Sequence, residues 1–569
     1  MASDRSGLVS VLLPCGDRPH AVAHYAIPSV LAQTHGDWEL VVVSEHADNA
    51  RMRAAVAQFD DPRIRYEEIT GTRAGAFDRA RELARGAVLS VLDEDSEYLP
   101  GHLRASLDAL ADHDADVVYC AAAFCDPNTG ERSEVNFDPA GVAAGRDVPH
   151  PAAISFTSAW GDESGEGSTW AALFGKGARL AVVDAANVVS RGDDVTGRVR
   201  VSMPSLPPTE RLHELVDEIA SSRRLSNHGP LNAALEQGLA EYIGARHVIT
   251  AASGDTALGM AMIFAANQRS DRTEVVLPSY TFPSTVNSVV RAGLVPVFCD
   301  VEPDNLCASA ATMAPMITDR TLALSPVLAH GAPCDMAAIE DLARDCGAFL
   351  ITDAAAALGA TIGDRKVGTY GDMEMFSLSS TKVLSAGEGG FLSLHDDEAE
   401  ARLREIGRYG LDETFSCVAA GVNGRLAEWP AGLALAGIDL LDGWLAARRR
   451  TATIYEEGLA DLKHLRVVPH RQADRVGTAK DVVLVVESPR LRDELADRLL
   501  RNRIETRPYF RPVHVMAPFK HLVRTPLEVT DQLADCMLSL PITNELPQST
   551  AEYVIGVLRD ELEDLTAGA

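Results

Sequence analysis

Basic charge is what this 569-residue chain has least of: 52 lysines and arginines stand against 82 aspartates and glutamates, a net charge of −30. Such a polyanion repels phosphate backbones and anionic bilayers, which argues against nucleic acid and membrane surfaces as partners. Within the basic residues lysine is scarce and arginine dominates. The nine cysteines are scattered, with no CxxC pair and no Cys/His cluster of zinc spacing. That pattern argues against a disulfide framework or a zinc site and predicts reduced thiols in a cytoplasmic protein. No apolar run reaches bilayer length, and the opening MASDRSGLVSVLLP lacks a signal-peptide layout. Internal repeats and low-complexity tracts are also missing. What is present is ordinary globular composition, 46% hydrophobic and 24% charged, in a chain long enough for two or three domains.

Alternation of apolar runs with helical patterning predicts an α/β chain in two parts. GLVSVLLP (7–14), WELVVVSE (38–45), AVLSVLDED (87–95) and ADVVYCAAAF (115–124) read as strands of a Rossmann-type sheet. The polar, then proline-rich stretch RGDDVTGRVRVSMPSLPPTE (191–210) reads as a linker. Strand-like runs resume at HVITAASG (247–254), EVVLPSYTFP (274–283), VPVFCDVEP (295–303), TLALSPVLAHG (321–331) and AFLITDAA (348–355). From about Asn423 the pattern turns helical, and a smaller α+β region closes the chain. The expected division is 1–192, a linker over 193–206, a large domain over 207–420 and a small one over 421–569.

Lys382, within FSLSSTKVLSAGEGG (376–390), is the residue most suggestive of chemistry. A lysine among hydroxyls and glycines loses hydration, which is costly unless the amine is to bond a carbonyl as a Schiff base. Asp353 ends an apolar run, LITDAAAALGA (350–360), and is placed to hold a pyridinium nitrogen. AASGDTALGMAM (251–262) reads as strand end, small-residue turn and helix start, which offers N–H groups to a phosphate. PSYTFPST (278–285) puts Phe282 on a turn where its face covers a cofactor ring, and Ser377 supplies a hydroxyl five residues before Lys382.

In this order these stretches, with SNHGP (226–230), PVLAHGAPCDM (326–336), VGTYGDMEMFS (367–377), GVNGRLAEWPAGLAL (421–435) and IETRPYFRPVH (504–514), resemble the DegT/StrS family of sugar aminotransferases. The resemblance runs from about residue 207 to the end. It implies fold type I, pyridoxal phosphate, and a ping-pong transfer from L-glutamate or L-glutamine to a ketosugar, most often a nucleotide-linked one, or to a keto-cyclitol. Carried over by position, Lys382 holds the cofactor and moves the proton, Asp353 pairs with the pyridinium, and Phe282 stacks on the ring. Gly254, Asp255 and Ser377 fall at the phosphate site. Asn423 reaches a neighbouring subunit's phosphate, which implies a homodimer, and Tyr509, Arg511 and His514 are candidate acceptor contacts. Two positions depart from the pattern: Ala356 stands where a glutamine contacts the ring hydroxyl, and Asp255 stands where Ser or Thr follows the glycine.

The stretches VSVLLPCGDRP, SVLAQTHGDWELVVVSE, DPRIRYEE and LARGAVLSVLDEDSEYLPGHL resemble family 2 glycosyltransferases of the GT-A fold over residues 7–192. The acidic cluster at the end of the 87–95 run implies that Asp93 and Asp95 hold Mg²⁺ or Mn²⁺ against the diphosphate of a nucleotide sugar. Glu166 falls where the family carries its general base. Ser44-Glu45 replaces the acidic nucleoside contact, and Asp78 replaces an expected asparagine. Two readings stay open: a bifunctional enzyme of aminosugar biosynthesis, or an aminotransferase whose N-terminal part binds without turning over.

Overall fold

The computed structural model describes residues 7–16, 18–112, 115–125, 128–129, 132–135, 154–157, 180–190, 198–522 and 525–566. The chain forms two compact units, Met1–Arg198 and Val199–Ala569, and their boundary falls inside the proline-rich stretch.

The N-terminal unit is built on strands β1 (Val9–Cys15), β2 (Trp38–Ser44), β3 (Ile64–Glu68), β4 (Val88–Val91), β5 (Ser96–Tyr98), β6 (Val117–Cys125), β7 (Arg132–Val135), β8 (Ile154–Thr157) and β9 (Leu180–Ser190). They form one sheet ordered β3-β2-β1-β4-β8-β6-β9-β5, with β7 paired to β6. The β3-β2-β1-β4 half is parallel. Strands β1 and β2 are buried along their whole length, as expected of central strands covered on both faces, which is why they read as unbroken apolar runs. Helix α1 (Arg73–Leu83) starts on a Thr72 side chain that accepts from the Gly75 N–H.

The C-terminal unit centres on seven strands: β10 (His247–Ala251), β11 (Glu274–Pro278), β12 (Val295–Cys299), β13 (Thr321–Leu324), β14 (Phe349–Asp353), β15 (Met373–Ser377) and β16 (Gly390–Leu394). Their order is β10-β16-β15-β14-β13-β11-β12. All neighbours run parallel except at β16, which is antiparallel to both β10 and β15. Two apolar cores lie in this unit around the sheet, one gathering Leu235, Tyr280 and Phe391 and the other Leu258, Met262 and Ile351. The small region adds an antiparallel sheet of β17 (Leu465–Val467), β18 (Val482–Val486) and β19 (Met537–Leu540). Among the described residues no single helix is long and apolar enough to cross a membrane.

Local chemistry explains the glycine-rich stretches. Helix α2 (Pro230–Ile243) begins with its first N–H groups unpaired by the helix, and the buried Glu428 carboxylate takes two of them, from Leu231 at 3.0 Å and Asn232 at 3.2 Å. The carboxylate lies so close that a Cβ at Gly229 would meet it at 2.5 Å. SNHGP is therefore the loop that lets a distant glutamate cap this helix.

Glu374 in β15 is fully buried; its Oε2 accepts from the N–H groups of Gly368 at 2.6 Å and Tyr370 at 2.7 Å. Burial pushes this carboxyl up to about 8, against those two hydrogen bonds. A folded-state value above the unfolded 4.5 means its stabilisation is complete below about 4.5 and is lost as pH rises through 8. Glu374→Gln is expected to stabilise the C-terminal unit at pH ~9 by on the order of a few kcal/mol and to change little at pH ~5. Urea unfolding at the two pH values measures it, and equal shifts at both would contradict the assignment.

Candidate active site

Strand β14 ends at Asp353, and the loop after β15 carries Lys382, so parallel neighbours deliver both to the same edge of the sheet. This is where α/β sheets bind ligands. Asp353 is buried; its Oδ2 accepts from the Thr285 hydroxyl at 2.7 Å and its Oδ1 from the Ala355 N–H at 3.1 Å. Burial raises its carboxyl above the usual range, while Thr285, Ala355 and Lys382 pull it back. Lys382 is half-buried, with part of its surface still accessible. Burial first, then the like charge of Lys480, lowers its amine to about 8, against the attraction of Asp353 and Asp481. An amine so placed is a nucleophile and a base near neutral pH.

Helix α3 (Gly254–Gln268) starts just after β10, and its N-cap Ser253 side chain accepts from the Thr256 N–H at 3.0 Å. Gly254 is packed against the end of β15: a Cβ there would lie 3.0 Å from Met375 Sδ and 3.1 Å from the Ser377 Cβ. Glycine thus brings the positive end of the helix beside the Ser377 side chain. Asp255 points elsewhere. Its Oδ2 is ion-paired at 2.6 Å with Arg291 at the end of α4 (Pro283–Arg291), so its charge is met by a guanidinium and is not left facing an anion. Phe282, the residue before α4, is 59% exposed and meets Phe510 edge-on at 6.2 Å between centroids. An amine, a buried carboxylate, a helix N-terminus with a hydroxyl, and an open aromatic face together fit pyridoxal phosphate.

The remaining sequence candidates separate. Asn423 lies on an exposed loop, its Oδ1 accepting from Arg425 Nε at 2.9 Å. Arg511 is exposed and Tyr509 half-buried, with the Tyr509 ring 5.3 Å from Lys480 Nζ. His514 spends both ring nitrogens inside the protein, on Ser279 at 2.6 Å and Asp531 at 2.9 Å, so it clamps its segment to the end of β11. At Ala356 the methyl side chain has no polar group, and its carbonyl accepts from Thr478 at 2.8 Å.

In the N-terminal unit, Asp93, Glu94 and Asp95 are buried just past the end of β4, close to the end of β1, where the Gly16 N–H donates to Glu94 at 2.9 Å. Arg18 pairs with Asp95 at 3.0 Å, and Arg73 at the start of α1 pairs with Asp93 and, at 3.4 Å, with Glu94. Among the described residues no three His, Cys, Asp or Glu side chains gather into a metal-binding group. Glu166 lies outside the described residues. The sequence reading passed over Thr285, Arg291 and the Lys480–Asp481 pair. Only the charged pair heading the apolar VVLVV run offered a signal.

The model of the "Glycosyl transferase family 2" matches residues 10–155, and that of the "DegT/DnrJ/EryC1/StrS aminotransferase family" matches residues 208–559. GDP-perosamine synthase of Caulobacter vibrioides is 33% identical over 63% of this chain and 97% of its own length. The dTDP-4-amino-4,6-dideoxy-D-glucose transaminase of Shigella dysenteriae is 30% identical over 63% of this chain and 98% of its own. The crystal structure of the aminotransferase TlmJ from Streptoalloteichus hindustanus superposes with a TM-score of 0.61 at 28% identity, covering 65% of this chain and all of TlmJ. The buried amine and carboxylate, on a fold shared with sugar aminotransferases, therefore have one family context: this chain belongs to the DegT/DnrJ/EryC1/StrS aminotransferase family, as a pyridoxal-phosphate-dependent transaminase carrying a family 2 glycosyltransferase domain ahead of it.

Proposed function

We propose that the C-terminal unit moves an amino group from L-glutamate or L-glutamine to a ketosugar carried on a nucleotide. The observation that carries this is that the buried Asp353 and Lys382, whose amine burial lowers to about 8, are delivered to the same edge of the sheet. The relatives named for GDP- and dTDP-linked sugars support the nucleotide-linked acceptor; a free ketosugar or a keto-cyclitol is the alternative.

Bound pyridoxal phosphate supplies a carbonyl for the incoming amine and a ring that withdraws electrons. The protein does the rest. Lys382 Nζ would hold the cofactor between turnovers and would carry the proton between the donor Cα and the carbonyl carbon of the cofactor. Asp353, fixed by Thr285, keeps the ring nitrogen protonated. The α3 N-terminus, Gly254 and Ser377 hold the phosphate, Phe282 covers the ring, and Tyr509 and Arg511 line the acceptor side. The segment carrying Asn423 also displays Tyr409 and Phe415, 47% and 85% exposed, and the helix Glu428–Ile438 that follows displays Trp429, 49% exposed, a surface suited to a homodimer in which Asn423 serves the neighbouring site. The test is incubation with L-glutamate and dTDP- or GDP-4-keto-6-deoxyhexose. Production of 2-oxoglutarate with an aminated nucleotide sugar is expected; 2-oxoglutarate without acceptor consumption would move the acceptor to another class.

The N-terminal unit is proposed to bind a nucleotide sugar through Asp93, Asp95 and Mg²⁺ or Mn²⁺, with Glu166 as base, and so to make the chain bifunctional. The arginine pairs on all three carboxylates favour a second reading, a domain that binds without transferring. With Asp93→Ala and Asp95→Ala combined, the bifunctional reading expects Mn²⁺-dependent release of nucleoside diphosphate to vanish while amination persists. If the unaltered protein shows no such release, the binding-module reading stands.

A further inference from the structure

Residue 330 is a histidine where the backbone favours glycine. Its φ of 56° and ψ of 13° lie in the left-handed region, and the next residue, Gly331, has a φ of 81°. A side chain persists in that region only where its surroundings over-determine it, which makes the position a pointer to function. The turn Ala329–Gly331 is held from two sides. Leu328, just before it, donates its N–H to the Asp353 carbonyl at 2.9 Å, and the Gly331 carbonyl accepts from the Thr478 N–H at 3.1 Å.

His330 is buried, and both ring nitrogens are in use: Nδ1 pairs with Asp481 at 2.8 Å and Nε2 meets the Tyr280 hydroxyl at 2.8 Å. Asp481 is a fixed point, because Lys480 pairs with it at 2.8 Å and the buried Arg448 donates to the Lys480 carbonyl at 3.0 Å. Tyr280 passes the constraint on. Its hydroxyl accepts from the Phe510 N–H at 3.2 Å and donates to the Tyr509 carbonyl at 3.0 Å. The His330 ring also stacks on the Phe510 ring at 5.1 Å between centroids, and Phe510 in turn meets Phe282 edge-on. The neighbouring backbone is anchored at Arg507, which pairs with Ser539, and at Val513, which donates to Ser279. Between those anchors lie Tyr509, Phe510 and Arg511, and Tyr280 ties two of the three. The bonds that fix the Asp353 carboxylate, from Thr285 and Ala355, do not pass through the His330 side chain.

We propose that His330 is a positioning residue for the acceptor: through Tyr280 and through its own ring it holds the 509–511 segment against Phe282, and so sets the acceptor side of the site. This rests on the reading of Tyr509 and Arg511 as acceptor contacts, and its test is separable from that reading. The donor half of the reaction, which needs Lys382 and Asp353, should proceed without it.

Hydrogen exchange read by mass spectrometry on the full chain without cofactor follows the backbone over 507–513. His330→Ala is expected to speed exchange there at least ~10-fold and to leave peptides from β10 to β14 unchanged. Single-turnover kinetics with pyridoxal phosphate then separate the two halves of the reaction. In His330→Ala the half-saturating concentration of dTDP- or GDP-4-keto-6-deoxyhexose should rise at least ~10-fold, while conversion by L-glutamate stays within about twofold. Tyr280→Phe, which keeps the ring and removes the hydroxyl, should give the same pattern. His330→Gln, whose amide retains a donor and an acceptor, should recover part of both losses. Thermal unfolding verifies that each variant is folded, and should alanine prevent folding, Tyr280→Phe and His330→Gln carry the comparison. Unchanged exchange over 507–513 in a folded variant overturns the proposal, as does an unchanged half-saturating concentration or an equal loss in both halves. If the unaltered protein aminates no nucleotide-linked ketosugar, the acceptor reading fails by itself, and the exchange result still decides whether His330 holds the segment.

Discussion

Lys382→Ala is expected to abolish amino transfer, lowering turnover at least ~10³-fold, because it removes both the attachment point and the base. The visible absorption of protein with pyridoxal phosphate, followed on adding L-glutamate, reads this directly. The unaltered protein should lose its band to the aminated cofactor form, and the variant should show no such conversion. Misfolding is not expected to confound the result. A buried amine lowered to about 8 sits below its unfolded 10.5, so the folded state binds this proton more weakly than the unfolded state does. Ionised Lys382 therefore costs stability at neutral pH, and the alanine variant should melt no lower than its parent. The same shift predicts that the rate of the unaltered protein climbs with pH and levels off near 8, as the free amine becomes the major form. A variant that still converts donor at the parental rate would remove Lys382 from the mechanism.

Asp353→Asn should be the second most damaging change. The amide preserves size and can still accept from Thr285, which now donates to Oδ2 at 2.7 Å. It cannot carry the negative charge that keeps a pyridinium protonated. Removing one partner of a buried charge pair costs about 3–5 kcal/mol, and a barrier raised by that much corresponds to a rate loss of roughly 10²–10⁴-fold. Cofactor retention on gel filtration should fall with the rate. Because burial already raises the Asp353 carboxyl, the unaltered protein should also lose activity at a higher pH on acidification than an exposed aspartate would dictate. Parental activity in Asp353→Asn would mean the ring nitrogen is held elsewhere.

Much of this site was legible without coordinates, and the reason is local. Strands buried on both faces must be continuous apolar runs, so β10, β11, β12, β13 and β14 stand out from their flanks. Asp353 is conspicuous because a carboxylate follows such a run directly. Lys382 is conspicuous because its loop is made of hydroxyls and glycine. Strands β15 and β16 are less visible: MEMFS and GFLSL mix polar residues into the pattern, and Glu374 is a charge-bearing side chain wholly inside the sheet. Its partners, the N–H groups of Gly368 and Tyr370, lie on a neighbouring turn whose conformation no periodicity reports.

By itself the sequence determined the two α/β parts and the family of the second, and it singled out the lysine and aspartate on which the proposed chemistry rests. These follow from residue type and short-range order, which a chain carries in its own text. Tertiary structure alone decided what the departures from the family pattern mean. Asp255 looked like a negative charge set against a phosphate, and it faces Arg291, 36 residues away, across a helix pair. His514 looked like a substrate contact, and Ser279 and Asp531 already occupy its nitrogens. Lys480 gave no sign of the active site, yet Arg448 and Asn544 bind its backbone to the loop of Lys382. Each of these is an electrostatic or hydrogen-bond partnership between residues far apart in the chain. The energy of such a partnership depends on distance and burial, which exist only once the chain has folded.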